Sequence, residues 1–375
     1  MSDQQMAEPT RPETTRPETA THARPTQMRA WRTHRYGRPT EVLALDTVDV
    51  PEPAAGEVLV RVEAIPFNLN DLERVTGGNM MVRPEFPYSP GMEVFGHVVA
   101  AGDGAEALVG ARVAATTKQA YGGFAEYAVC PAVATFAVPD SIPLPDAAAI
   151  YFPFHLAWLG LFDRAGLQAG ETVLVHAAAG GSGSVAVQMA KAAGATVIAT
   201  ASTDAKRELC LSLGADHVVD YTVEGWATTV LELTGGLGVD VVFDNVGEAV
   251  WEPSLTCTAY NGRYVMMGFA SNKAVADEPF VVPRRLMLAN IRLCGVLFNY
   301  ADASMAGFLK SAMGWNVATR EVGDRVHAAV LEMVRSGAVR PIVGEVIGFE
   351  DIPARLEAME SRATTGRVIA LLPRP

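Results

Sequence analysis

From about residue 170 to residue 300, short apolar β-rich runs alternate with stretches of helical periodicity. The run Val173-Leu-Val-His-Ala-Ala-Ala opens onto Gly180-Gly-Ser-Gly183, and Val185, Val187, Met189 and Ala190 then recur at helical spacing over Ser184–Ala193. Gly194 stands where that helix would end, and Thr196–Thr200 reads as the next strand. The spacing predicts further strands at His217–Asp220, Val239–Phe243, Gly262–Met267 and Ile291–Leu297. Helices are predicted between them at Ala205–Leu213, Trp226–Thr234 and Val250–Ala259. Strands alternating with helices predict an α/β fold, a doubly wound parallel sheet of the Rossmann type.

The flanking regions are patterned differently. Residues 28–153 are β-rich, with runs at Val58–Val62, Gly96–Ala100 and Arg112–Ala115 punctuated by Pro and Gly. After residue 300 come predicted helices Ser304–Met313 and Asp324–Ser336, then strands Ile342–Ile347 and Gly366–Leu372 flanking a helix Asp351–Glu360. Four regions follow: a tail at 1–27, a β-rich domain at 28–153, the doubly wound domain at 154–300, and a return to the first domain at 301–375. The Pro/Thr/Glu-rich tail repeats Thr-Arg-Pro-Glu-Thr over residues 10–19, a composition that reads as disordered.

Composition narrows the function. A net charge of −12 argues against nonspecific binding to nucleic acid or to anionic membranes. The most membrane-like stretch, residues 147–162, has only 16 residues and contains Pro153 and His155, so it reads as a buried segment joining two domains. Cysteines at 130, 210, 257 and 294 form no C-x-x-C pair, and no secretory signal is visible, which points to a reduced, cytoplasmic protein.

The glycine cluster carries the candidate chemistry. Free N–H groups at a helix start, with the helix dipole behind them, suit a dinucleotide pyrophosphate. Ala178, Gly180 and Gly183 occupy the three positions of a G-x-G-x-x-G fingerprint, with Gly181 and Ser182 between them.

Several further segments occur in order: Pro53-x-x-Gly56-Glu-Val-Leu-Val-Arg-Val62, Asn68-x-x-Asp71, Pro87-Tyr-Ser-Pro-Gly91-x-Glu93-x-x-Gly96, Gly122-Gly-Phe-Ala-Glu-Tyr127, Leu213-Gly-Ala-Asp-His-Val-Val-Asp-Tyr221 and Gly366-Arg-Val368. With these the chain, over residues 28–373, resembles the zinc-independent quinone oxidoreductase branch of the medium-chain dehydrogenase/reductase superfamily. The resemblance implies a Rossmann domain inserted into a GroES-like β domain. It also implies a homodimer joined through the edge strand near Ile291–Leu297.

Zinc-dependent relatives have cysteine and histidine ligands where this chain has Asn68 and Met92, neither a usual zinc ligand. Glu93 alone cannot make a metal site, and His97 reads as a packing residue, so no metal is expected. An NAD site would place a carboxylate at the end of the second strand, where this chain has Ala201 and Ser202. Lys206 and Arg207 bring positive charge, while Asp204 reads as part of the helix cap. In the resembling family, positions matching Ser202, Lys206 and Tyr221 hold a 2′-phosphate, so the expected cofactor is NADPH. By position, Asn245, Gly268, Phe269, Leu297 and Phe298 join the cofactor site.

With no metal and no recognisable catalytic triad, the cofactor carries the chemistry. The expected acceptor is a small quinone or α,β-unsaturated carbonyl. Asn68 is the candidate hydrogen-bond donor to the developing anion, Asp71 orients its loop, and Tyr88 lines the cleft. An enoyl thioester or natural-product tailoring reductase is the alternative. It is weakened by Asn79, which stands where such reductases carry a tyrosine proton donor. A cofactor-binding protein with little catalysis is the third reading.

Overall fold

The computed structural model describes residues 24–78, 82–268, 281–361 and 364–373. The expected disorder of the tail, the role given to Asn79 and the cofactor contact given to Phe269 therefore lie outside the described residues.

Six parallel strands form the sheet of the second lobe. Their order is His217–Val219, Thr196–Thr200, Thr172–Val175, Val239–Asp244, Thr258–Met266, Arg292–Gly295. Numbered along the chain, the order is 3-2-1-4-5-6, with the reversal between the first and fourth strands. Val173, Leu174, Val241, Val242 and Phe243 are fully buried, as strands covered on both faces require. The glycine-loop helix, Gly181–Ala192, begins three residues earlier than the periodicity suggests, because the glycines themselves form its first turn. The helix expected at Val250–Ala259 is displaced to Glu248–Thr256. Thr258 Oγ1 donates to Ser254 O at its end (2.7 Å), and the chain turns at once into the next strand.

The first lobe is built on a seven-stranded sheet of mostly antiparallel strands. Glu57–Pro66 pairs with Glu93–Ala101, which pairs with Arg112–Thr116. The late strand Arg367–Leu371 pairs with Glu57–Pro66, and Val343–Gly348 lies beside it in parallel. A hairpin of Gln27–Thr33 and Leu43–Asp49, which the apolar pattern does not signal, covers one side. Its strands alternate only weakly in burial.

Residues 146–164 connect the lobes as helical turns whose centre, Phe152–Trp158, buries Pro153, Phe154, His155, Leu156 and Ala157. Among the described residues no helix is long and apolar enough to cross a membrane.

Candidate active site

The carboxyl ends of the parallel strands converge on the glycine loop, where ligands bind in open α/β sheets. Gly180 caps the helix from extended backbone, and the N–H groups of Gly181, Ser182 and Gly183 are the first-turn donors that no helical carbonyl can reach. A Cβ on Gly183 would lie 2.2 Å from Ala177 O and 2.7 Å from Ala178 Cα, so only glycine lets helix and strand meet there. Ala177 itself takes a left-handed conformation at φ 50°, and Ala178 is fully buried.

Beneath the loop, His176 is fully buried between Thr200 Oγ1 (3.1 Å) and Ser254 Oγ (2.8 Å). Burial pushes its imidazole down to about 3. It ties the first strand to the second and to the helix Glu248–Thr256.

The next strand end supplies Asp244 and Asn245. Asp244 accepts from the backbone N–H groups of Val246 (2.7 Å) and Gly247 (3.0 Å) and from the Tyr264 hydroxyl (2.9 Å). Burial nevertheless raises its carboxyl to about 6. Asn245 Nδ2 is buried without a hydrogen-bond partner among the described residues. Gly268 closes against it; a Cβ there would lie 2.1 Å from the Asn245 carbonyl carbon. An unpaired buried amide beside a glycine cradle is what a ligand with oxygen acceptors would complete. The residues present thus fit a dinucleotide.

Ser202 and Lys206 lie just past the strand Thr196–Thr200, and Tyr221 lies just past His217–Val219. Thr203 caps the helix Asp204–Ser212 by accepting from Lys206 N. The Arg207 guanidinium pairs with Asp220 (2.9 Å) and with Asp204, which offsets part of the positive charge expected at this strand end.

On the first-lobe side stands a buried polar network that the sequence pattern does not announce. Arg367 NH2 lies 2.7 Å from Glu93 Oε2, with both side chains almost wholly buried. Glu93 Oε1 also accepts from Phe152 N (3.2 Å), at the start of the connecting helix. Arg367 NH2 donates further to Phe67 O (3.2 Å) and Asn68 Oδ1 (3.1 Å). The network reaches the glycine loop through Gly366, whose N–H donates to Ala179 O (2.8 Å). The Arg367 side chain passes Gly181, where a Cβ would sit 3.4 Å from its Cγ. Opposite charges in two otherwise apolar strands, 274 residues apart, were the available signal, since a buried charge demands a partner.

This network corrects the role expected of Asn68. Its two amide hydrogens point to Glu93 Oε2 (3.1 Å) and Pro66 O (3.4 Å), leaving none for a substrate anion. Exchanging the amide oxygen and nitrogen would set N–H against the Arg367 guanidinium, so the orientation is forced. Asp71 is fully buried, accepting from Asn68 N (2.9 Å) and Met92 N (3.0 Å). Burial raises its carboxyl to about 6.

Tyr88 is also placed differently from expectation. Its hydroxyl donates to Arg74 O (2.6 Å) at the far end of the helix that Asn68 caps, and its ring stacks on Phe86. It borders a groove of about 580 Å³ shared with Tyr121, Tyr127 and Lys118. The Arg74 carbonyl fixes the phenol in that position.

Phe298, half-buried past the last strand, packs on Phe152 (4.8 Å between centroids), which joins it to the Glu93 network. Leu297 beside it is 42% exposed, leaving it open to a ligand. Among the described residues no cluster of three or more His, Cys, Asp or Glu could hold a metal ion.

Residues 54–140 match the family model of the alcohol dehydrogenase GroES-like domain, and residues 181–313 match that of the zinc-binding dehydrogenases. Prostaglandin reductase-3 of Mus musculus is 33% identical over 87% of this chain and 84% of its own length. The quinone oxidoreductase of Sus scrofa is 28% identical over 92% of this chain and 98% of its own. A mycobacterial protein solved in complex with NADPH superposes with a TM-score of 0.78 at 33% identity, covering 92% of this chain and 99% of that one.

Proposed function

Because the chain belongs to the medium-chain dehydrogenase/reductase family, we propose that it is an NADPH-dependent, zinc-independent reductase of quinones or α,β-unsaturated carbonyl compounds. The observation that carries the reading is the unpaired Asn245 amide set at the same sheet edge as the Gly180–Gly183 helix start. Zinc independence rests on Asn68 and Met92. The Asn68 amide is bound up with the Arg367 guanidinium, a cation already in place. The mycobacterial NADPH complex supports the choice of cofactor.

When bound, the reduced nicotinamide supplies the hydride. The chain's own residues place and shield it. The first-turn N–H groups and helix dipole face the pyrophosphate. Ser202, Lys206 and Tyr221 take the 2′-phosphate, Asn245 donates its free amide hydrogens, Gly268 leaves room beside it, and Leu297 and Phe298 form an apolar wall. Asn68 and Asp71 hold the floor of the cleft through Glu93 and Met92 N rather than touching the acceptor. With the Asn68 hydrogens committed, the proton for the product anion comes from solvent at the cleft mouth.

The edge strand Arg292–Gly295, with Leu293 38% exposed and Met287 and Leu288 exposed on the preceding helix, supports a homodimer built through that edge. The function is tested by NADPH oxidation with 1,4-naphthoquinone and with an enone, on protein assayed for metal. Turnover without stoichiometric zinc is expected. Reduction of acyl thioesters only, or NADPH binding without turnover on any acceptor, would replace this reading with one of its two competitors.

A further inference from the structure

Three buried side chains that the chemistry above does not use form a continuous line behind Phe298. Tyr300 Oη lies 2.9 Å from His155 Nδ1, and His155 Nε2 lies 3.0 Å from His327 Nδ1. His327 Nε2 lies 2.8 Å from Ala137 O. The direction of the line follows from its end. A carbonyl only accepts, so His327 carries its hydrogen on Nε2 and offers Nδ1 as an acceptor. His155 therefore carries its hydrogen on Nε2 and accepts at Nδ1, and Tyr300 must donate. Burial lowers both imidazoles and raises the phenol, so all three stay neutral and the direction is unique.

The line joins four segments remote in sequence. Ala137 ends a first-lobe strand, His155 belongs to the connecting helix, Tyr300 follows the last parallel strand, and His327 lies on the helix Arg320–Arg335. Phe136 packs against all three members of the line, and Arg320 sits 4.4 Å above its ring while donating to Ala132 O and Thr135 O. Phe298 meets the rings of Tyr300 (5.4 Å), Tyr151 (5.4 Å) and His155 (5.9 Å). Phe298 itself lies in an irregular segment, residues 296–299, tied back to the sheet by Val296 N donating to Met266 O. Its placement thus depends on what its side chain and Tyr300 are anchored to.

We propose that Tyr300, His155 and His327 are positioning residues whose one-directional hydrogen-bond line fixes the Phe298 wall relative to the first lobe, and so sets the distance between hydride donor and acceptor. The inference rests on the proposed function, in which that wall borders the nicotinamide. A reacting distance is sensitive to small displacements, whereas affinity for NADPH is spread over the pyrophosphate and 2′-phosphate ends.

The test uses the full chain and three variants. Tyr300→Phe removes one donor and keeps the ring; His155→Leu removes both functions; His155→Gln keeps one acceptor and one donor. NADPH affinity is read by fluorescence titration, turnover with 1,4-naphthoquinone at saturating NADPH, and hydride transfer by the primary isotope effect with 4-deuterated NADPH. Tyr300→Phe and His155→Leu are expected to lower kcat about tenfold or more and to raise the isotope effect, with NADPH affinity changed less than about threefold. His155→Gln should recover most of the loss. A lowered melting temperature with kcat and isotope effect at wild-type values would overturn the proposal, leaving the line a matter of stability alone. If His155→Leu does not fold, Tyr300→Phe against His155→Gln decides on the same readouts. A wild-type protein that neither binds NADPH nor reduces the quinone would overturn the parent function and this inference with it.

Discussion

Replacing Glu93 by Gln probes the network on which the first-lobe side of the cleft is built. The Glu93 and Arg367 side chains are 1% and 4% exposed, and their closest approach is 2.7 Å. Glutamine keeps the size and one acceptor but removes the charge. Arg367 would then face only Phe67 O, Asn68 Oδ1 and a neutral amide, a cation left without its counter-charge in a dry site. Breaking a buried pair from one side costs about 3–5 kcal/mol, and Arg367→Met should cost a similar amount by stranding the carboxylate. The double variant leaves no unpaired charge, and the introduced amide can still meet Asn68 and Phe152 N. Its loss should fall short of the summed single losses by about 3 kcal/mol. Urea unfolding near neutral pH, followed by tryptophan fluorescence and fitted lobe by lobe, measures all four corners of the cycle. Losses that add to within about 0.5 kcal/mol would mean that the two charges do not depend on each other, and would refute the argument.

Lys206→Ala should weaken NADPH at least about tenfold and NADH hardly at all, read by fluorescence titration, because only NADPH carries the extra phosphate. Equal loss of both would remove the 2′-phosphate assignment. Gly183→Ala should abolish measurable NADPH binding while circular dichroism stays native, since the backbone 2.2 Å from the new Cβ must shift. Wild-type affinity in that variant would mean the loop takes another form. Leu293→Lys should convert a dimer to monomers in sedimentation, because it sets a charge on the paired edge. Sedimentation unchanged from wild type would place the interface elsewhere.

The sequence pattern resolved the parallel sheet well and the cleft only in part, for a physical reason. Strands such as Thr172–Val175 are buried on both faces, so Val173, Leu174 and Val175 read as an unbroken apolar run. The glycine loop was equally legible, because close approach at Gly183 leaves no alternative residue. The hairpin Gln27–Thr33 with Leu43–Asp49 was not, because it buries only Met28, Ala30 and Thr33 of its first strand and Leu43 of its second. Asn68 shows the deeper difficulty. Its type and position suggested a donor, yet its hydrogens are taken by Glu93 and Pro66 O, and Arg367 fixes its orientation from the other end of the chain. The Arg207 pair with Asp220, thirteen residues on, is likewise invisible in the residue type alone. A side chain's type states what it can donate or accept; which partner it meets is set by contacts remote in sequence.

Asp244 gives a pH test with a definite sign. Its carboxyl is raised to about 6 from an ordinary 3.8, with burial as the leading cause, so the folded state holds its proton more tightly than the unfolded state. Its contribution to stability is therefore greatest below pH 3.8 and is lost as pH rises to about 6. Asparagine should fit the site. Oδ1 alone takes both backbone N–H groups, and the amide nitrogen can donate to the Tyr264 hydroxyl, which rotates to accept. The variant carries no charge to bury. Its stability relative to wild type should thus rise by about 1.4 kcal/mol between pH 5 and pH 8, whatever the offset between amide and carboxylic acid at low pH. Paired urea unfolding curves at those two pH values measure the difference. A relative stability that is flat or falls over that interval would show that Asp244 is not ionised at a cost in the folded chain.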